Sequence, residues 1–131
     1  MPLEIIQPDG LDRPTTYSHV ITATGGKLVF IAGQMSDDSD GNLVHAGDLA
    51  SQAQQVFANL GRALSAAGAR PSQVVRLGIH VVGHRREYLP IIEQARIELF
   101  GDHKPTDTLI GVETLAAPGY LIEIDAIAVT D

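Results

Sequence analysis

The chain has 131 residues, a length that one hydrophobic core accommodates, and it is 44% hydrophobic, 19% charged and 5% aromatic with no Trp, so its interior is aliphatic. A formal net charge of -7, with nine scattered Lys and Arg residues, argues against nucleic-acid or anionic-membrane surfaces, which recruit clustered basic side chains through counterion release. The absence of cysteine removes disulfides, thiolate nucleophiles and Cys-ligated zinc or iron–sulfur centres, leaving small molecules and proteins as the expected partners.

The first ten residues have no basic segment followed by an apolar run, and no stretch approaches the roughly 20 apolar residues of a membrane span, so the expected location is cytoplasmic. Pro8-Asp9-Gly10 and Arg13-Pro14 read as loop, so residues 1–16 are expected to be partly loop, with order beginning near Tyr17. Residues 19–24 and 27–32 are rich in β-branched and apolar side chains. Gly25-Gly26 between them suits a primed two-residue turn, which predicts a β-hairpin. The following Ser36-Asp37-Asp38-Ser39-Asp40-Gly41-Asn42 resembles part of a calcium loop but lacks the spacing and terminal glutamate of an EF-hand, and it reads as a solvated loop.

From Asp48 to Ala67, the positions Leu49, Ala53, Val56, Phe57, Leu60, Leu64 and Ala67 form one helical stripe; Gly47 or Asp48 caps its start, and Gly68 and Pro71 end it. Residues 74–82 alternate Val75, Leu77, Ile79 and Val81 with Arg76, Gly78 and His80, the two-residue period of a half-buried strand. A second helix is predicted over residues 86–99, with its stripe through Tyr88, Ile92, Ala95 and Leu99, Pro90 in the first turn and Gly101 as C-cap. Strands over 108–115 and 120–129, separated by Ala116-Ala117-Pro118-Gly119, complete a single α+β domain over 1–131. Two helices cover one face of such a sheet. The other face, also apolar, then requires cover from another subunit.

This order, with several local motifs, resembles the YjgF/RidA family, also known as endoribonuclease L-PSP or reactive-intermediate deaminase. The motifs are Tyr17-Ser18-His19, Leu28-Val29-Phe30-Ile31-Ala32-Gly33-Gln34, the helix bearing Gln52, Gln55 and Asn59-Leu60, and Ile122-Glu123-Ile124-Asp125-Ala126-Ile127-Ala128. The resemblance implies a chorismate-mutase-like fold, a mixed sheet with two helices on one face, assembled as a homotrimeric barrel with a cleft between each pair of subunits. It implies that a final-strand glutamate, here Glu123, holds the water that attacks an imine carbon, with neither metal nor organic cofactor. It also implies that Tyr17, Ala32, Gly33, Glu93 and Leu109 contact the substrate.

One position departs from the family. Where its deaminases carry an arginine that binds the substrate carboxylate, two residues after a proline, this chain has Asp107 after Pro105. A bidentate guanidinium–carboxylate contact is thereby exchanged for two like charges, so ordinary 2-iminoacids are expected to bind badly. The serine before the hallmark glycine is Ala32, and Glu93 stands where an asparagine is frequent. Glu93, Asp107 and Glu123 in one cleft would raise one another's pKa, allowing one carboxyl to act as general acid and another as base. Catalysis is accordingly assigned to Glu123 and Asp107.

The histidines, His19, His45, His80, His84 and His103, show no metal-ligand spacing; His103 is a candidate for the cleft mouth and His80 for a cleft or interface. No Gly-x-Ser-x-Gly elbow or phosphate loop occurs. The leading expectation is an enzyme hydrolysing an imine or enamine without the usual carboxylate. A non-catalytic ligand-binding or regulatory trimer is the alternative, and an endoribonuclease is a weaker one.

Overall fold

The computed structural model describes residues 3–131; Met1 and Pro2, within the segment read as partly loop, lie outside it. Among the described residues the elements are β1 (Leu3–Ile6), β2 (Val20–Ala23), β3 (Leu28–Gln34), α1 (Leu49–Ala66), β4 (Val74–Val82), α2 (Leu89–Phe100), β5 (Thr106–Val112) and β6 (Ile122–Val129), with single 3-10 turns before β4 and α2. The main sheet has the order β3-β6-β4-β5 and is mixed: β6 is antiparallel to both β3 and β4, and β5 is parallel to β4.

The helices form where their apolar spacing places them. In α1, Ala53, Val56, Phe57, Leu60 and Leu64 are at most 2% exposed, which fixes the face turned to the sheet. The Asp48 carboxylate caps the helix by accepting from the Ser51 N–H (3.1 Å) and Oγ (2.8 Å), and the backbone bond holds its pKa below the ordinary value. Helix α2 starts three residues later than the reading over 86–99, because residues 86–88 form a 3-10 turn. Its buried residues are Ile92, Ala95, Arg96 and Phe100, so an arginine shares the inward face. Phe57 and Phe100 meet edge to face across the helix pair, with ring centroids 6.1 Å apart.

Two sequence expectations are corrected. The segment before Tyr17 contains β1, which pairs antiparallel with β2 from Leu3↔Ala23 to Ile6↔Val20. Its loop signals, Pro8-Asp9-Gly10 and Arg13-Pro14, follow the strand, and four residues are too few to show a period. The predicted hairpin does not form either. Gly25 and Gly26 adopt the positive φ of a primed turn, 68° and 66°, yet β2 pairs with β1 and β3 with β6. Beyond the turn, the Lys27 carbonyl accepts from the Thr130 N–H (2.9 Å), and a Cβ on Gly26 would collide with the Thr130 carbonyl. The C-terminal strand takes the edge that a hairpin would have used. The last two strands are also shifted: β5 runs from Thr106 and ends at Val112, and β6 starts at Ile122.

The register divides the sheet into two unlike faces. Leu77, Ile79 and Val81 of β4 and Ile122, Ile124, Ala126 and Ala128 of β6 lie under the helices, at most 2% exposed. The opposite face carries His80, Glu123, Asp125 and Ile127 together with Phe30 and Ile110, which are 72% and 48% exposed.

Candidate functional site

Asp107 and Leu109 of β5 stand opposite Leu77 and Ile79 of β4 and therefore belong to the helix-covered face. They open into a cleft of about 530 Å³ lined by Thr16, Tyr17, Ile79, Leu89, Glu93, Asp107, Thr108 and Leu109. Four of the residues singled out from the sequence, Tyr17, Glu93, Asp107 and Leu109, thus meet in one place. Tyr17 is brought there by its neighbours: the Ser18 N–H donates to the Pro105 carbonyl (3.1 Å), the Ser18 hydroxyl donates to the Lys104 carbonyl, and Arg96 donates to the Thr16 carbonyl.

Arg96 is the residue that sequence reasoning missed. Its side chain is 3% exposed; Nη2 donates to Asp107 Oδ2, and Nε lies 3.6 Å from Glu93 Oε2. A cation from α2 therefore lies between the two carboxylates that were expected to repel each other. Burial pushes the Glu93 carboxyl above its ordinary pKa; Arg96 works against that rise, and Asp107 adds to it. The signal in the sequence was an arginine one residue after Ala95 on the apolar stripe, three residues after a glutamate and eleven before an aspartate.

Glu123 and Gly33 form a second locus. Glu123 lies opposite His80 on the face without helices, and its carboxylate sits over Gly33, where any Cβ would collide with Oε2. The bulge between Ile31 and Gln34 occurs at this point, leaving Ala32 and Gly33 exposed. The buried Gln52 of α1 positions the start of β6: its amide donates to the Gly119 (2.9 Å) and His45 (3.2 Å) carbonyls and accepts from the Leu121 N–H (2.8 Å). A groove of about 710 Å³ runs from Gly33 past Asp37, Asp38, Asn59 and Arg62. In the loop there, the Asp38 carboxylate accepts from the Asp40 (2.9 Å) and Asn42 (3.0 Å) N–H groups as a turn-forming side chain.

Within one chain, Glu123 and Asp107 stand on opposite faces of the sheet, so the three acidic residues do not share a single intrachain cleft. His103 Nε2 is bound to the Val74 carbonyl (2.7 Å) and does not line the cleft of Asp107. His80 Nδ1 lies 3.9 Å from Asp125 Oδ2, beside Glu123.

Two helices on one face of a mixed sheet define the α+β, chorismate-mutase-like class, and comparison with known proteins is more specific. The Endoribonuclease L-PSP family model matches residues 10–130. The chain belongs to this family, the YjgF/RidA family. It is similar to the 3-aminoacrylate deaminase RutC of Acinetobacter baylyi, 30% identical over 98% of both chains. It is also similar to a 2-iminobutanoate/2-iminopropanoate deaminase of Dermatophagoides farinae, 28% identical over 81% of this chain and 80% of that one. Among solved structures, the conserved Rid-family protein YyfB of Yersinia pestis superposes with a TM-score of 0.93, at 38% identity over 99% of this chain and 100% of that one.

Proposed function

We propose that the protein hydrolyses an imine, enamine or related reactive intermediate at clefts between subunits, and that Asp107 steers it away from substrates bearing a carboxylate. The observation that carries the reading is the Glu123 carboxylate seated over Gly33, in space that any side chain there would force it to leave. Relatives named as aminoacrylate and imine deaminases support the reaction class. In this reading a water held by Glu123 attacks the C=N carbon, Glu123 accepts the water's proton, and the nitrogen is protonated. Collapse of the tetrahedral adduct releases ammonia and leaves a carbonyl.

The cleft of Tyr17, Glu93, Asp107 and Leu109 receives the substrate from one subunit, and Ala32, Gly33 and Glu123 face it from the next. The sidedness of the sheet supports this division, because residues on opposite faces of one subunit can approach a common ligand from two copies. The exposed Leu28 and Phe30 support an interface on the same side. Light scattering is expected to give a mass near three times 13.9 kDa; a stable monomer would remove the shared cleft.

The functional test is ammonia release from freshly generated imines with and without a carboxylate. Wild type is expected to act on the latter and Glu123→Gln to lose about a hundredfold in rate. Rapid turnover of carboxylated imines by wild type would sink the specificity claim. The alternative, a non-catalytic ligand-binding trimer, draws support from the engagement of Asp107 by Arg96. Binding without any ammonia release would favour it. RNA cleavage is the weakest reading at a net charge of -7.

A further inference from the structure

The arrangement behind the cleft distinguishes its two acids. Arg96, 2% exposed, uses Nη1 on the Thr16 carbonyl and Nη2 on Asp107. Its Nε and the Glu93 Oε2 are both buried and both without a hydrogen-bond partner. Arg96 lines the small recess behind Glu93, formed with Thr15, Ile97 and His103, and is absent from the wall of the main cleft. The guanidinium therefore reaches both carboxylates from the side away from a ligand. Asp107 is the more committed of the two, directly hydrogen-bonded and 12% exposed, whereas Glu93 keeps 23% exposure and only a 3.6 Å approach.

One cation between two carboxylates leaves the group with a formal charge of -1, so among the described residues the polar end of the cleft offers acceptors and no free cation. The remaining wall is largely apolar: Ile79, Leu89, Leu109 and the Tyr17 ring. A carboxylate entering here meets like charge, while the Arg96 guanidinium lies in the recess behind. An N–H group meets the Glu93 carboxyl, and the apolar part of the same ligand covers the aliphatic wall.

We propose that Glu93 determines specificity in this cleft by accepting a hydrogen bond from the nitrogen of a compact, otherwise apolar amine or imine. Arg96 is its positioning residue, fixing Glu93 from behind and withdrawing Asp107 from proton transfer. The proposal rests on the reading of this cleft as a small-molecule site, and it narrows that reading by moving the ligand-facing role from Asp107 to Glu93. The burial that raises the Glu93 pKa agrees with it, since a carboxylate partly stripped of water gains from an incoming N–H donor.

The test is an NMR titration of isotope-labelled full-length protein at neutral pH with n-butylamine, butyramide and butyrate. Butylammonium and butyramide are expected to shift the Tyr17 and Leu109 amide signals saturably, and butyrate to bind at least about tenfold more weakly. Glu93→Gln should weaken butylammonium about tenfold, and Asp107→Asn by less than about threefold. The Glu93 carboxyl, followed by carbon NMR, should titrate at higher pH in Arg96→Met and return toward the wild-type midpoint in Arg96→Lys. If Arg96→Met does not fold, Arg96→Lys is expected to keep the midpoint while losing amine affinity, because lysine keeps the charge without the planar fork. Butyrate binding as tight as butylammonium, no binding of any probe, or unchanged binding in Glu93→Gln would overturn the assignment of Glu93. An unmoved midpoint in Arg96→Met, or unchanged amine affinity in Arg96→Lys, would overturn that of Arg96. No turnover is read, so loss of the hydrolytic reading through absent ammonia release remains a separate result.

Discussion

The two faces of the main sheet present carboxylates in opposite circumstances. Under the helices, Asp107 is tied to an almost fully buried guanidinium, with Glu93 beside them. On the other face, Glu123 and Asp125 lie near His80, with Phe30 and Leu28 exposed alongside. The first group carries its own counter-ion within the fold. The second has charge and apolar surface side by side, with no helix of the described residues packed over them. The same chemical group is thus tied into the fold at Asp107 and left uncovered at Glu123, according to what the chain itself packs over it.

The largest expected effect tests the enclosed side. Arg96→Met leaves Asp107 and Glu93 without their cation and should cost about 3–5 kcal/mol in urea denaturation, while Arg96→Met/Asp107→Asn should recover a substantial part. Equal losses in both variants would mean that packing, and not charge, governs the site. On the open side, Phe30→Asp is expected to leave the subunit folded by circular dichroism but to lower the light-scattering mass toward 13.9 kDa. An unchanged mass would remove that face from the interface. Gly33→Ala should displace the Glu123 carboxylate and reduce ammonia release at least about tenfold with little change in melting temperature; undiminished release would separate Glu123 from the chemistry.

The smallest effect concerns pH. Burial raises the Glu93 pKa above its ordinary 4.5, so the protonated form suits the fold better than the charged one. The stability from this preference is fully present below about pH 4.5 and is lost as pH rises through the higher folded value. Glu93→Gln, which stays neutral, should therefore gain on wild type in melting temperature as pH rises through that window. A constant difference would show that Arg96 fully offsets the burial.

Much of the architecture was legible in local pattern. Leu49 to Ala67 repeat at three and four residues, residues 74–82 alternate, and α1 and β4 formed where those periods lie. The hairpin failed because turn residues specify a local reversal but not which strand accepts the next ladder; Gly25-Gly26 turned as expected while β6 took β3. The candidate site was legible by kind of residue rather than by grouping. Tyr17, Glu93, Asp107 and Leu109 converge, Glu123 and Gly33 converge elsewhere, and Arg96 passed unread because a helical arginine is ordinarily solvated.

By itself, the order of residues determined the family, the two helices and the presence of an aspartate after Pro105, since each depends on side-chain type and short-range spacing. Only the tertiary structure decided what that aspartate meets. The parallel pairing of β5 with β4 sets Asp107 under α2, and the turn of α2 brings Arg96 to the same point from eleven residues away. Charge in a protein acts through distance and burial, and both arise from packing that no single segment contains.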